Sequence, residues 1–209
     1  MVEAGTVTER IGLTPALACV VAGMLALFLV PGRLFVPVTF VATSVMMLAA
    51  YLVGAKGPRA SLAAVLTGLG SAALLYAVFY GGNLAISTLG IPGLASSSET
   101  SVYSLIASPS NPLVLQVGVL AFDAAGYEAF FRGTLQARLE RRLGLWAAPT
   151  VALLDAGIHI ATLNPLWVAT TFVADLTWGL TFHYGRDLSA SLTSHFVWDL
   201  VIFVIRPIR

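Results

Sequence analysis

The chain has 209 residues, of which 58% are hydrophobic and 10% charged, with a formal net charge of +1 and a mean hydropathy of +0.89. That balance excludes an ordinary soluble domain and a disordered segment, and it points to an integral membrane protein. A near-neutral chain without a basic patch also excludes a nucleic-acid partner.

Apolar runs fall near residues 13–30, 34–53, 61–89, 113–132, 145–163, 166–182 and 188–205. Each approaches the roughly 20 residues that a membrane-spanning helix requires. They predict an all-α polytopic transmembrane bundle of about seven spans, forming one integral membrane domain over 1–209 and residing in the cell membrane. The first run holds the lone cysteine, Cys19, so no intrachain disulfide forms, and the thiol is expected to pack among apolar neighbours. That run is long for a signal-peptide core and is not followed by a clean cleavage site, so it reads as a span. Pro31-Gly32, Gly57-Pro58, Asn111-Pro112 and Asn164-Pro165 punctuate the runs. The third run contains Gly81-Gly82-Asn83, where its helix is expected to be tilted or broken. The fourth is expected to continue as helix to Leu143.

Orientation follows from the basic residues. Lys56 and Arg59, then Arg138, Arg141 and Arg142, then Arg186 mark three loops on one side, whereas the polar linker from Gly90 to Asn111 has none. The positive-inside rule makes the basic side cytoplasmic, with Arg10 beside it. Seven spans would then place Arg206 and Arg209 outside, a conflict that points to a re-entrant or split segment.

Five carboxylates and two histidines lie inside these apolar runs: Asp123, Glu128, Asp155, Asp175 and Asp199, with His159 and His195. An Asp at the centre of a membrane helix costs roughly 2.5–3.5 kcal/mol, so such a cluster marks a functional site. Asp155 and His159, His195 and Asp199, Glu128 and Arg132, and Asp123 and Tyr127 are each four residues apart, hence on one helix face. At 1.5 Å rise per residue the polar groups come to similar depth, between the cytoplasmic half and the midplane. A pocket opening toward the cytoplasmic half is expected there.

The residues from Tyr127 to Gly133 (Y-E-A-F-F-R-G) resemble the first motif, E-E-x-x-x-R-G, of the CPBP membrane proteins, the CAAX proteases and bacteriocin-processing enzymes. Asp155-x-x-x-His159 resembles their second motif, F-x-x-x-H, and His195-x-x-x-Asp199 their third, H-x-x-x-N. The resemblance covers a core of about 113–205. It implies an all-helical membrane fold and metal-dependent proteolysis of a membrane-associated or prenylated peptide. Carried over by position, Glu128, His159, His195 and Asp199 would be metal ligands, and Arg132 the motif arginine. Tyr127 stands where the water-activating glutamate is expected, and tyrosine is a poor general base at neutral pH. Asp155 stands in place of phenylalanine. Tyr127, Glu128, Asp155 and His159 are therefore the candidate catalytic residues, with Arg132, Asp123 and Asp175 as candidate binding groups. Glu128, His159, His195 and Asp199 are expected to converge on one metal or water cluster, with Asp155 one turn away and Asp123 and Asp175 at the rim or as second metal ligands.

Zinc suits the peptidase reading, while an inventory this rich in carboxylates suits Mg²⁺ and a diphosphate. The alternative is thus an isoprenoid diphosphate enzyme, a prenyltransferase or terpene cyclase. There Arg132 and metal would hold a prenyl diphosphate, and Trp167, Trp178, Phe196 and Trp198 would face a carbocation. A non-catalytic immunity or partner protein is the third reading, because the expected base is missing. The plainer readings are Asp175 as a buried acid paired with Arg or His for assembly and Tyr127 as a hydrogen-bond partner of a neighbour. Away from the site, Asp187 reads as a cap, His183 as interfacial, Trp146 as a belt residue, and Arg138, Glu140, Arg141 and Arg142 as a solvated face.

Overall fold

A computed structural model describes residues 12–29, 34–55, 57–89 and 111–208. Arg10, Pro31-Gly32, Lys56, Arg209 and nearly all of the Ser-rich linker lie outside the described residues, so the orientation expected from them is not addressed by the fold.

The described residues are helical almost throughout. In chain order they form α1 (Leu13–Leu29), α2 (Phe35–Val53), α3 (Leu62–Thr88), α4 (Leu113–Phe130), α5 (Ala137–Leu143), α6 (Ala147–His159), α7 (Pro165–Gly185) and α8 (Leu188–Leu200). The sequence supplies the starts. The Ser61 hydroxyl accepts from the Ala64 N–H at 3.1 Å. The Asn164 side chain accepts from Leu166 and Trp167 N–H, with Pro165 in the first turn. Asp187 accepts from Ser189 N–H at 2.9 Å, as its reading as a cap requires. Each satisfies backbone donors that a helix start leaves open. Glycine ends α2, Gly54 lying at φ 80°.

Gly81-Gly82-Asn83 does not break α3, which runs unbroken for 27 residues. At 1.5 Å per residue that is about 40 Å, longer than a bilayer core. The fourth run does continue to Leu143, but through one widened π-helical turn, Phe131–Gln136. In that turn the Thr134 hydroxyl reaches back five residues to Ala129 O at 3.0 Å. The widened turn leaves both Arg132 and Gln136 with no exposed surface. Gly144, at φ +54°, then reverses the chain into α6.

Four helical stretches among the described residues are long and apolar enough to cross a membrane: Phe35–Val53, Leu62–Thr88, Leu113–Thr162 and Leu188–Ile205. The expected count of about seven is not confirmed. α1 has 17 residues and α6 only 13, and 13 residues rise about 20 Å, short of a roughly 30 Å core. α7 is long enough but carries Asp175 and several hydroxyls, which lower its hydropathy.

Helices pair α1 with α2, α2 with α4, α3 with α8, and α6 with α7, and α8 also meets α4 and α7. The α2–α4 approach depends on Gly126, where a Cβ would lie 2.4 Å from Thr43 Cγ2 and 2.9 Å from Thr43 O. Small residues at such crossings let membrane helices meet at backbone distance. One apolar cluster gathers Val20, Met24, Met46, Val53, Phe130, Phe131 and Val151 around Tyr127. A second gathers Leu75, Trp178 and Trp198. Exposed Leu66, Leu74, Leu113, Leu153 and Leu163 form the outer, lipid-suited surface. Cys19 is among the exposed residues and not in the packed interior as expected: in α1 it falls beside the buried line of Ala16, Val20 and Met24, off the inward face.

Candidate active site

The motif residues form one continuous chain of polar contacts across α4, α6, α7 and α8. It begins at His159, whose Nδ1 lies 3.0 Å from the backbone oxygen of Asp155 and 3.6 Å from Asp155 Oδ1. The other carboxylate oxygen of Asp155 accepts the Tyr127 hydroxyl. That hydroxyl also lies 3.1 Å from Asp175 Oδ1. Because a hydroxyl carries one proton, it donates to one of these carboxylates at a time. Asp175 in turn takes the Arg132 guanidinium in a two-pronged pair, with Nη1 to Oδ2 at 3.3 Å. Arg132 Nε is 3.6 Å from Glu128 Oε2. Glu128 Oε1 is 3.0 Å from His195 Nδ1, and His195 Nε2 is 3.3 Å from Asp199 Oδ2.

Burial grades along this chain. Glu128, Arg132, Asp155 and Asp175 have no exposed surface, while Tyr127, His159, His195 and Asp199 are buried with a small remainder. A cavity of about 450 Å³ lies against the less buried members and against Asp155. Its wall includes Asp123, Tyr127, Asp155, His159, His195 and Asp199, but not Glu128, Arg132 or Asp175. Apolar side chains from α1, α2 and α3, such as Met24, Phe28, Phe35, Met46 and Phe79, complete it.

The sequence expectations divide accordingly. Glu128, His195 and Asp199 do come together. His159 meets Asp155 instead, and joins the others only through Tyr127, Asp175 and Arg132. Asp175 is not at the rim: it sits at the centre of the network, as the partner of Arg132. Asp123 is half-buried in the cavity wall and accepts the Thr43 hydroxyl at 2.7 Å. Of the aromatic residues, Trp167, Trp178 and Trp198 line the cavity and Phe196 does not. Trp178 stacks on His195 with ring centroids 3.7 Å apart.

Two contributions escaped the sequence. Phe28 of α1 packs against His159, with centroids at 4.8 Å, and Thr43 of α2 fixes Asp123. Both belong to spans without a motif, and a hydroxyl inside an apolar run was the only signal for Thr43. At the basic end, Glu140 and Arg138 are not simply solvated. Glu140 Oε1 accepts from Gln136 Nε2 and lies 3.0 Å from His183 Nδ1, and Arg138 donates to Val53 O at 2.6 Å. Trp146 is exposed, in keeping with a belt residue.

A divalent metal is implied by the motif resemblance, and the residues as placed do not fit one. Among the described residues no group of three His, Cys, Asp or Glu side chains is arranged to hold a metal ion. Glu128 has one oxygen on His195, the other beside Arg132, and no surface on the cavity. His195 has a carboxylate at each ring nitrogen. The zinc and magnesium expectations are therefore not confirmed.

Spanning helices, with a buried ionic network between them and a lipid-facing exterior, define an integral membrane protein with an intramembrane polar site. Residues 109–201, just under half of the chain, match the family model described as type II CAAX prenyl endopeptidase Rce1-like. This match covers all three motifs and bears out the resemblance read from them. Neither the curated proteins nor the solved structures compared with the chain give a match.

Proposed function

We propose that the protein is an intramembrane peptidase of the CAAX type in which Asp155 has taken over the water-activating role. The observation that carries this reading is the contact between Tyr127 and Asp155. In the motif pattern, glutamate stands at the position of Tyr127 and phenylalanine at that of Asp155. Here the acid and the aromatic ring have changed places across one helix interface, so the carboxylate is moved and not lost. Its Oδ1 has no hydrogen-bond donor although the residue is fully buried. A buried acceptor without a partner costs roughly 1–3 kcal/mol, which a water or a substrate group on the cavity side would recover.

In this mechanism Asp155 Oδ1 takes a proton from water as the water oxygen attacks the peptide carbonyl carbon. The Tyr127 hydroxyl holds the other Asp155 oxygen and fixes the carboxylate's direction. His159 donates Nδ1–H to the Asp155 backbone carbonyl and keeps the helix end in place, and Asp155 Oδ1 then gives the proton it took from water to the departing nitrogen. Collapse breaks the C–N bond and yields an acid and an amine. The buried Glu128–Arg132–Asp175 set acts as scaffold, holding His195 and Tyr127 in register. A membrane-associated or prenylated peptide would lie along the apolar wall formed by Met24, Phe28, Phe35 and Phe79.

The diphosphate alternative has weaker support, because no Lys or Arg side chain lines the cavity among the described residues. Arg132, which that reading assigned to the diphosphate, is occupied by Asp175. The deciding experiment incubates the purified protein with prenylated peptides and with prenyl diphosphates, each with and without Zn²⁺ or Mg²⁺. Peptide cleavage that is lost in Asp155→Asn upholds the proposal. Diphosphate release without cleavage transfers the assignment to an isoprenoid enzyme, and inactivity in every arm leaves a non-catalytic membrane protein.

A further inference from the structure

The network has more negative groups than its own cations can balance. Four carboxylates (Glu128, Asp155, Asp175 and Asp199), with Asp123 beside them in the cavity wall, face one guanidinium, Arg132, and two imidazoles. Even with both imidazoles protonated, these acids would outnumber the cations if all were ionised. Arg132 is withdrawn behind the wall between Glu128 and Asp175, so its charge is spent where no ligand reaches. The cavity itself presents Asp123, Asp155 and Asp199 and, among the described residues, no Lys or Arg. Charge in a low-dielectric interior is tolerated only when paired. Asp155 Oδ1, buried completely in this wall, accepts no hydrogen bond from the described residues and has only His159 Nδ1 at 3.6 Å, so it is left short of a donor.

We infer that the cavity is built to take an organic cation, and that Asp123 selects substrates with a Lys or Arg side chain next to the bond that is cut. The inference rests on the peptidase reading for its substrate and on the cavity alone for its charge preference. Thr43 holds Asp123 Oδ1 at 2.7 Å, which fixes the carboxylate, and among the described residues Oδ2 has no donor. Asp123 is within electrostatic reach of His159, His195 and Asp199, so it belongs to the same field as the reacting groups. It lies four residues before Tyr127, about 6 Å along the helix axis. An extended peptide advances roughly 3.4 Å per residue. A four-carbon ammonium stem on a residue beside the scissile bond therefore spans the gap. The rings of Phe28 and Trp167, 5.6 Å apart on the same wall, add faces that attract cations.

The test has a binding arm that needs no cleavage. Trp167, Trp178 and Trp198 line the cavity and report occupancy through their fluorescence. The full-length protein in nonionic detergent is titrated with dodecylamine, dodecanol and dodecanoate, which share a chain and differ in charge. Dodecylamine is expected to bind about 10-fold more tightly than dodecanol, with dodecanoate weakest, and Asp123→Asn should bring the amine-to-alcohol ratio close to one. Equal binding of amine and alcohol, or a preference for dodecanoate, overturns the inference. So does displacement of the amine by millimolar Mg²⁺ alone, since the acids would then serve a metal. In the cleavage arm, matched peptides carry Lys or norleucine beside the scissile bond. Equal cleavage of both overturns the inference and leaves the peptidase standing. Amine preference that vanishes in Asp123→Asn, with neither peptide cut, upholds the cation site and removes the peptidase reading.

Discussion

The Tyr127 hydroxyl donates to the Asp155 carboxylate across the α4–α6 interface. The pair reverses the acid-and-aromatic order that the CAAX-protease motifs place at these two positions. If the two substitutions compensate one another, undoing both should be milder than undoing either. Tyr127→Glu and Asp155→Phe are each expected to lower peptide cleavage by at least 10²-fold, while the double variant recovers part of it. Residues in contact couple by about 0.5–3 kcal/mol, so a strictly additive double variant would show that the exchange carries no function.

Within the same pair, the two side chains have unequal duties. Asp155→Asn removes the proposed proton acceptor and is expected to cost about 10²–10⁴ in rate. Tyr127→Phe removes only the hydroxyl that orients it, and the expected loss is ~10–100-fold, the value of one hydrogen bond to a charged group. Single-turnover cleavage rates measure both, and a larger loss in Tyr127→Phe than in Asp155→Asn would reassign the roles.

Arg132 is the counter-charge for two carboxylates that have no exposed surface. Arg132→Met should destabilise the protein by about 3–5 kcal/mol, because it leaves buried charge without a partner. Adding Asp175→Asn to that variant should recover part of the loss. Thermal unfolding in detergent distinguishes this from a purely catalytic arginine, whose removal would leave the transition unmoved.

Gly126 sets the distance between α2 and the helix that carries Tyr127 and Glu128. Gly126→Val forces the new side chain against the Thr43 backbone and is expected to cost about 1–3 kcal/mol. It should also loosen Asp123 through Thr43. The check is a lowered melting temperature, with lipid-facing Leu74→Val as the control.

Asp187 caps α8 and also accepts from the Arg59 N–H at 3.1 Å, tying the α2–α3 loop to the start of α8. These backbone hydrogen bonds outweigh its slight burial and hold its carboxyl below the usual range. A lowered folded pKa means that its stabilisation is present above the unfolded value, near 3.9, and fades as pH falls through the folded one. Asp187→Ala should cost about 0.5–2 kcal/mol at pH 7. The gap between variant and parent should narrow under acid titration; a gap constant down to pH 2 would contradict the cap's ionic character.

Sequence alone determined the membrane class, nearly every helix boundary from α1 to α8, the three motifs and the family they resemble. Hydropathy, proline and capping residues act over a few positions, so the chain displays them directly. It also determined that the acids at 123, 128, 155, 175 and 199 demand partners. Which partners they find was decided only by the tertiary structure. Spacing placed His195 and Asp199 on one face, and they do pair. The contacts of Asp155 with Tyr127, and of Asp175 with Arg132, join residues 28 and 43 positions apart. The Arg132–Asp175 contact is made from the widened turn at Phe131–Gln136, which no local pattern announced, and the ion pairs of Arg132 with Asp175 and Glu128 offset the cost of burying its charge. The same long-range packing brings Phe28 and Thr43 from motif-free helices to the cavity and keeps Glu128 away from it. Helix periodicity fixes which face a side chain occupies, and only the packing of several helices fixes what that face meets.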